Sequence, residues 1–297
     1  MKIKVLKFGG TSVGSIEAIK RSADIIHDWS KKSKVIAVLS AMSGETDRLI
    51  NLTKSFSKNP NPIDFDNAIS SGENVSCALM SICLNNQKIK AKSLLSWQIP
   101  IITSSEHMKS RILSINKKFL YDELENFEVL LIPGFQGINN KGELTTLGRG
   151  GSDTSAVAVA AAMETECIIY TDVEGVFTTD PNIVPKAKKI NKISYEEMLE
   201  LASQGAKVLQ TRSVELAMRK NTKLSVRSSF KPKKIGTMIT DEKSVLENNT
   251  VSGITYSKDE AKITLSRVQD KPGVSSKIFG PLAKGNINVD MILQNIS

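Results

Sequence analysis

Short apolar runs alternate with helical patterns over the first 240 residues. Consecutive apolar residues favour buried strands, and an apolar residue every three or four positions favours an amphipathic helix. These rules predict strands at 2–8, 35–40, 129–133 and 167–171, and helices at 15–29, from Glu45 onward, at 64–84 and at 152–163. Such alternation indicates an α/β fold with a mostly parallel sheet between helices. Ligands of such sheets bind at the carboxyl ends of the strands.

The apolar pattern fades after about residue 230. The sequence predicts a main domain over 1–230, a lysine- and turn-rich linker over 231–250 and a second segment over 251–297. In that last segment the pattern predicts a strand at 262–267, a helix at 272–283 and a strand at 287–292, which together would form a βαβ unit. Since no later element would complete a sheet, we expect an incomplete small domain.

Composition limits the possible classes of function. The net charge is +9, but the lysines are scattered, only 5% of residues are aromatic and no nucleic-acid motif occurs. We therefore expect an anionic small substrate and not nucleic acid. No apolar run reaches the roughly 20 residues that span a bilayer, and no signal peptide is recognisable, so we expect a cytoplasmic protein without membrane contact. Cys77, Cys83 and Cys167 form no CxxC pair and are expected in the core.

The loop KFGGTSVGS lies between the first strand and the first helix. Gly9 and Gly10 would let backbone N–H groups approach an anion, and Lys7 would place an ammonium beside it. The loop matches neither the P-loop pattern nor GxGxxG. Considered alone, it fits equally well a tight turn with Lys7 in solvent.

A second glycine loop, TTLGRGGSDTSA, places Arg149 before Gly150 and Gly151 at the start of a helix. A guanidinium on such a loop is suited to bidentate recognition of a carboxylate or phosphate. Asp153, in the first turn of that helix, has the alternative role of a capping residue.

Other charged residues complete the candidate site. Glu73 follows Gly72 near a helix start, where it could cap the helix or bind an ammonium group, and Lys207 could reach a polyphosphate. The loop after Tyr170, with Asp172 and Asp180, could equally be a surface hairpin. We found no GxSxG motif, metal-ligand cluster or catalytic setting for a histidine. Lysines, an arginine and amide-rich loops without a nucleophile suit phosphoryl transfer, which depends on alignment and charge stabilisation.

Seven blocks of the sequence resemble, in order and spacing, those of aspartate kinases in the amino acid kinase family. They are KFGGTSVGS (7–15), SAMSGETDRL (40–49), SSGENVS (70–76), GFQGIN (134–139), TTLGRGGSDTSA (145–156), YTDVEGVFTTDP (170–181) and EEMLELASQGAKVLQTRSVELA (196–217). Residues 268–297 resemble the start of an ACT regulatory domain. The resemblance implies an amino acid kinase catalytic domain followed by an incomplete ACT segment.

The resemblance also implies a reaction: the γ-phosphoryl group of ATP is transferred, with Mg²⁺, to the side-chain carboxylate of L-aspartate. The product, 4-phospho-L-aspartate, leads to lysine, threonine and methionine. The implied catalytic residues are Lys7, Asp153 and Lys207. The implied aspartate-binding residues are Thr46, Glu73, Arg149, Gly150, Gly151 and Ser152. The implied nucleotide-binding residues are Lys7, Phe8, Gly9, Gly10, Thr171, Asp172, Phe177, Asp180 and Lys207.

Within those sets, individual roles follow from the resemblance. Arg149 would bind the α-carboxylate of aspartate, Glu73 would face its ammonium group, and Asp153 would orient Lys7 or the metal-bound phosphate. Many members of the family have arginine where this chain has Asn182, so one ATP contact is expected to differ.

Regulation and assembly stay open at the level of sequence. A lysine or threonine effector is conceivable, but the short ACT segment argues against assuming feedback inhibition. A homo-oligomer, or pairing with another ACT-containing chain, would complete its sheet. The alternatives in function are a non-catalytic regulatory subunit and a kinase that acts on another amino acid.

Overall fold

A computed structural model describes residues 2–206, 208–241, 253–256, 261, 263–269, 271–285, 287, 289 and 292–293. The strands are β1 (Ile3–Phe8), β2 (Lys34–Leu39), β3 (Ala91–Ser93), β4 (Ile101–Thr103), β5 (Ile112–Ile115), β6 (Val129–Pro133), β7 (Gln136–Ile138), β8 (Leu144–Thr146), β9 (Cys167–Thr171), β10 (Lys192–Ser194), β11 (Leu224–Ser228) and β12 (Thr237–Thr240). The helices are α1 (Ile16–Ser30), α2 (Glu45–Phe56), α3 (Pro62–Ile69), α4 (Ser71–Asn86), α5 (Lys117–Asn126), α6 (Gly151–Ala162), α7 (Tyr195–Ser203), α8 (Thr211–Arg219) and α9 (Val274–Lys284). A short 3₁₀ turn covers Gly10–Ser12.

The main sheet has the strand order β10-β12-β11-β9-β1-β2-β6-β3. All neighbouring strands in it are parallel except β11 and β12, which confirms the predicted mostly parallel α/β sheet. β1 lies near the middle of the sheet, between β2, the next strand in the sequence, and β9, which comes much later in the chain. The ends of β1, β2, β6 and β9 therefore meet at one edge, where ligands of such sheets bind.

Helices cover both faces of this sheet because its strands alternate between two apolar clusters. Val5 packs in one cluster, and Leu6 and Phe8 pack in the other. Residues 151–160, in α6, are all buried. Their small side chains, mostly alanine, serine and valine, let the helix lie close to the sheet, as the sequence predicted for a buried helix.

Short elements account for most differences from the predicted pattern. The predicted helix at 64–84 is two helices, α3 and α4, separated at Ser70. A second sheet, in the order β5-β4-β7-β8, was not predicted because its strands have only three or four residues. It lies next to the loop that carries Arg149, since β8 ends at Thr146.

The predicted linker is wrong for Thr237–Thr240, which form β12 inside the main sheet. β12 pairs antiparallel with β11 and parallel with β10. Thr237, Ile239 and Thr240 are buried while Met238 is exposed. Over four residues, this alternation is too short for the sequence to distinguish a strand from a turn-rich segment. The compact unit that contains the sheet extends to Tyr256, beyond the predicted boundary at residue 230.

A second compact unit covers 257–297. Its helix α9 confirms the helix predicted at 272–283. The strand predicted at 262–267 is wrong for residues 263–266, which have no strand structure. Ile263 and Leu265 are exposed there, and no described strand pairs with them. Ile287, Val289 and Ile292 are likewise not in a strand, and the rest of that predicted strand lies outside the described residues.

Candidate active site

A cavity of about 400 Å³ lies at the carboxyl ends of β1, β2 and β6. The loops after β1, β2 and β6, the Arg149 loop and the first turns of α2, α4 and α6 form its sides. The lining residues are Lys7, Gly10, Ser40, Ala41, Met42, Ser43, Gly44, Thr46, Asp47, Glu73, Phe135, Gly148, Arg149, Gly150, Gly151, Ser152, Asp153 and Gln210. The structure thus brings together the glycine loop after β1, the Arg149 loop and Glu73, which are far apart in sequence.

The loop after β1 is held close to the loop after β2. A Cβ atom on Gly10 would lie 3.0 Å from the carbonyl oxygen of Ala41, so a larger residue would push the two loops apart. The 3₁₀ turn at Gly10–Ser12 follows directly. Ser15 caps α1 by accepting a hydrogen bond from the Ala18 N–H at 3.2 Å. The first turns of α2, α4 and α6 line the cavity, whereas no residue of α1 does.

Lys7 and Asp153 form an ion pair across the cavity floor. Lys7 Nζ lies 2.6 Å from Asp153 Oδ1, and each side chain is 11% exposed. At this distance the ammonium is the charged partner of Oδ1. Asp153 also lies in the first turn of α6, where the helix dipole stabilises a carboxylate. The structure therefore places an ammonium group in the cavity and holds it there.

Arg149 lies at the tip of a tight glycine turn. The Gly151 N–H donates to the Gly148 carbonyl at 3.0 Å, and Gly148 and Gly150 have φ of +78° and +70°. At Gly150 a Cβ atom would lie 2.0 Å from Cγ of Gln210, so only glycine fits. The Arg149 side chain is exposed and makes no hydrogen bond or ion pair with any described residue. Its guanidinium group is free to bind an anion.

Glu73 is buried, with 3% of its surface exposed. Its Oε1 accepts a hydrogen bond from the Ala41 N–H at 3.1 Å, whereas its Oε2 has no partner among the described residues. Burial raises the pKa of Glu73 to about 7, although the bond from Ala41 acts in the opposite direction. A buried acceptor oxygen without a donor is costly, and a ligand N–H would satisfy it.

The remaining predicted aspartate-binding residues lie around the same cavity. Thr46 is in the first turn of α2, and Gly151 and Ser152 are in the first turn of α6. With Glu73 in the first turn of α4, three helix N-termini lie at the cavity, and their partial positive charge favours an anionic ligand.

Most of the predicted nucleotide-binding residues lie elsewhere. The Phe8 side chain is fully buried and stacks on Tyr170 with ring centroids 5.0 Å apart, so only its backbone could face a ligand. Thr171, Asp172, Phe177 and Asp180 are in or after β9 and do not line this cavity. The segment that contains them starts next to the glycine loop, because the Gly9 N–H donates to the carbonyl oxygen of Tyr170, the residue before Thr171. Lys207 lies outside the described residues.

The loop that contains Asp180 is held by hydrogen bonds from its own backbone amides to Asp180. Asp180 Oδ1 accepts from the Asn182 N–H at 2.9 Å, and the Asp180 carbonyl accepts from the amides of Ile183 and Val184. The Asp180 carboxylate therefore already has a structural role in this loop.

A model of the amino acid kinase family matches residues 2–228, which include β1 to β11 and every lining residue of the cavity. The chain belongs to the amino acid kinase family. A model of the ACT domain matches residues 266–297.

The curated relatives of this amino acid kinase support the resemblance to aspartate kinases that the sequence blocks indicated. An aspartate kinase of Pseudomonas putida is 49% identical over 300 residues, which cover 100% of this chain and 73% of the relative. An aspartokinase of Helicobacter pylori is 49% identical over 298 residues, which cover 98% of this chain and 73% of the relative.

Solved aspartokinases share the fold of this amino acid kinase. Aspartokinase III of E. coli, in complex with aspartate and ADP, superposes with a TM-score of 0.73 at 25% identity, over 99% of this chain and 77% of that one. The aspartate kinase of Synechocystis superposes with a TM-score of 0.72 at 38% identity, over 96% of this chain and 48% of that one.

Sequence reasoning missed part of this kinase's cavity. The residues after β2, from Ser40 to Gly44, could have been inferred, because they follow a buried strand next to β1. Gln210 gave no such signal: it is an uncharged residue before α8, and only the folded chain brings it against Gly150. Among the described residues, no helix is both long and apolar enough to cross a bilayer.

Proposed function

We propose that this chain is an aspartate kinase. It transfers the γ-phosphoryl group of ATP to the side-chain carboxylate of L-aspartate and gives 4-phospho-L-aspartate, the first step towards lysine, threonine and methionine. The relatives named aspartate kinase and the family match support this reading.

One feature of the site carries the proposal for the substrate: a free guanidinium and a buried carboxylate with an unpaired oxygen line the same cavity. Arg149 would bind the α-carboxylate of aspartate as a bidentate pair. Glu73 Oε2 would accept from the α-ammonium group. Thr46 and Ser152, which line the same cavity, would add hydroxyl contacts. This set matches the two charged groups that every free α-amino acid carries.

Phosphoryl transfer would occur at the Lys7 end of the cavity. The aspartate side chain is ionised at neutral pH, so the reaction needs no general base. The obstacle is repulsion between the attacking carboxylate and the phosphates. Lys7, the amide of Gly10 and the start of α6 would offset that repulsion, and Asp153 would hold the Lys7 ammonium in place. The Gly9 amide, which the sequence also assigned to the phosphates, is already bonded to the Tyr170 carbonyl.

The nucleotide would extend from Lys7 towards the segment after β9, where Thr171, Asp172, Phe177 and Asp180 would contact it, with Lys207 on its phosphates. Mg²⁺ commonly binds through nucleotide phosphates and only one or two carboxylates. No group of three or more side chains that could hold a metal occurs among the described residues. Asp153, a carboxylate that lines the cavity beside Lys7, fits such a limited role. The ion would neutralise charge on the phosphates.

The ACT-like segment suggests regulation as a further part of the proposal. A related enzyme, E. coli aspartokinase III, has been solved in complex with lysine and aspartate. A lysine or threonine effector, and association with a second ACT-containing chain, stay predictions for this chain.

A coupled assay of ADP release tests the proposal with aspartate, glutamate and N-acetylglutamate as acceptors. We expect ADP to form with aspartate as the acceptor and not with glutamate or N-acetylglutamate. A response to glutamate in place of aspartate would favour the alternative, a kinase of another amino acid, and no response to any acceptor would favour a regulatory subunit.

Two substitutions test the assigned roles in the same assay. Lys7→Met should lower kcat by about 10²- to 10³-fold, the usual effect of removing a group that stabilises transition-state charge. Arg149→Met should raise the KM for aspartate by roughly 10- to 100-fold, because it removes charged hydrogen bonds worth about 1.5–3 kcal/mol. Lys31→Met, at an exposed lysine paired with Asp28, is the control and should behave as wild type. Wild-type kinetics in either test variant would refute that residue's role.

A further inference from the structure

Arg212 is a charged residue that the proposed reaction does not use. It lies in the first turn of α8 and is partly buried. Its Nη1 donates to the carbonyl oxygen of Leu147 at 2.8 Å, and its Nη2 donates to the carbonyl oxygen of Ser110 at 2.7 Å. One planar guanidinium thus joins two separate chain segments with two charged hydrogen bonds.

The position of Arg212 is unfavourable in two ways. A cation in the first turn of a helix is opposed by the helix dipole. Burial, together with the nearby charge of Arg111, lowers the pKa of Arg212. The two carbonyl contacts offset these unfavourable effects, together with the attraction of Glu215.

Those two carbonyls lie at the base of the Arg149 turn. Leu147 directly precedes Gly148, and its own N–H donates to the Phe135 carbonyl at 2.8 Å. Ser110 is joined to the same strand end, since both its N–H and its hydroxyl donate to the Thr146 carbonyl. The Gly148 turn also lies against the Met108 carbonyl, where a Cβ atom would approach to 2.7 Å.

We infer that Arg212 is a positioning residue for aspartate binding: its guanidinium fixes the Leu147 carbonyl to the Ser110 segment and thereby orients Arg149. This inference rests on the proposed function for its substrate. Gly148, Gly150 and Gly151 carry no side chains of their own, so the turn is held by its neighbours: Gln210 lies against Gly150, and Leu147 and Phe135 lie against Gly151. Because the Arg149 side chain is long, a small rotation of the turn would move its guanidinium group out of hydrogen-bonding distance of the substrate.

The inference predicts an effect on one substrate only. Arg212→Met keeps an unbranched apolar chain and removes every donor. It should raise the KM for aspartate by about tenfold or more, while the KM for ATP changes less than about twofold. Arg212→Lys can reach one carbonyl at a time and should give an intermediate value. Arg219→Met, on the same helix at an exposed pair with Glu215, should match wild type.

Hydrogen exchange supplies a readout that does not need activity. In Arg212→Met the peptide covering 147–154 should exchange faster than in wild type, whereas Arg219→Met should leave it unchanged. An equal rise of both KM values, an unchanged KM for aspartate, or unchanged exchange at 147–154 would each overturn the inference. Should Arg212→Met fail to fold, Arg212→Lys decides by the same criteria. If wild type forms no ADP with aspartate, the proposed function fails, and exchange alone decides whether Arg212 holds the turn.

Discussion

Glu73 couples the charge of the site to the presence of a ligand. Burial raises the pKa of Glu73 to about 7, so both the protonated and the ionised forms are populated near neutral pH. An ammonium group beside Oε2 would favour the ionised form. Ligand binding and loss of the Glu73 proton are therefore linked.

This linkage predicts a pH-dependent affinity. The raised pKa means that the carboxyl is mostly protonated below about pH 7, so aspartate must displace a proton there and its KM should fall as the pH rises. We expect a fall of about tenfold per pH unit at most, levelling off above pH 7 to 8. Glu73→Gln should raise the KM and flatten its profile. The KM for ATP over the same range is the control, and a slope that persists in Glu73→Gln would argue against this residue.

Residue identities could be predicted where charge and glycine coincide. Lys7, Asp153, Arg149 and Glu73 stood out because a cation or carboxylate beside glycine at a strand or helix end has few structural uses. The structure gathers all four around one cavity. Gln210 and Arg212 could not be predicted, because their roles depend on contacts with Gly150 and with two backbone carbonyls that are distant in sequence.

Among the elements, α3 and the second sheet are joined through Asp66. This carboxylate is fully buried and accepts hydrogen bonds from the Thr146 hydroxyl at 2.6 Å and from the Thr146 and Met108 amides. His107 Nδ1 lies 2.8 Å from the same carboxylate. The end of β8 is thus held from the α3 side by Asp66.

We expect Asp66→Ala to lower the free energy of unfolding by about 3–5 kcal/mol, because several buried donors would lose their acceptor. Asp64→Ala, an exposed position in the first turn of the same helix, should change it by less than about 1 kcal/mol, the usual contribution of an exposed carboxylate at a helix N-terminus. Urea unfolding of both variants measures the difference. Similar values for the two would show that the Asp66 network contributes little.

Long elements were easier to predict than short ones. β1, β2, β6 and β9 have five or six residues and are almost wholly buried, so their apolar runs stand out. The three-residue strands of the second sheet are too short to show a period. β12 was missed for a related reason: pairing on both sides, and not its own hydrophobicity, makes it a strand.

At the scale of the whole molecule, residues 1–256 form one compact unit that contains both sheets and the cavity. β12 belongs to that unit because it joins β10 to the rest of the main sheet. The Thr237 hydroxyl also accepts from the Val176 N–H at 2.8 Å, so the loop after β9 depends on β12. The unit cannot end at residue 230 without losing these contacts.

Two truncations test this boundary. A chain that ends at Tyr256 should unfold in one transition with a Tm close to that of the full chain. A chain that ends at Phe230 should unfold at a much lower temperature or aggregate, because β10 and β11 would become open edges. Thermal unfolding followed by circular dichroism measures both. A Tm for the shorter chain equal to that of the longer one would contradict the role of β12.

The Lys7–Asp153 pair has a consequence for selectivity. Since the ammonium already has a counter-ion, a small anion such as inorganic phosphate must compete with an internal carboxylate and gains little net attraction. A nucleotide carries further groups that bind elsewhere and can offset that competition. We therefore expect Lys7 to exchange Asp153 only for a ligand that also makes contacts beyond Lys7. The abundant simple anions of a cell would then not occupy the site.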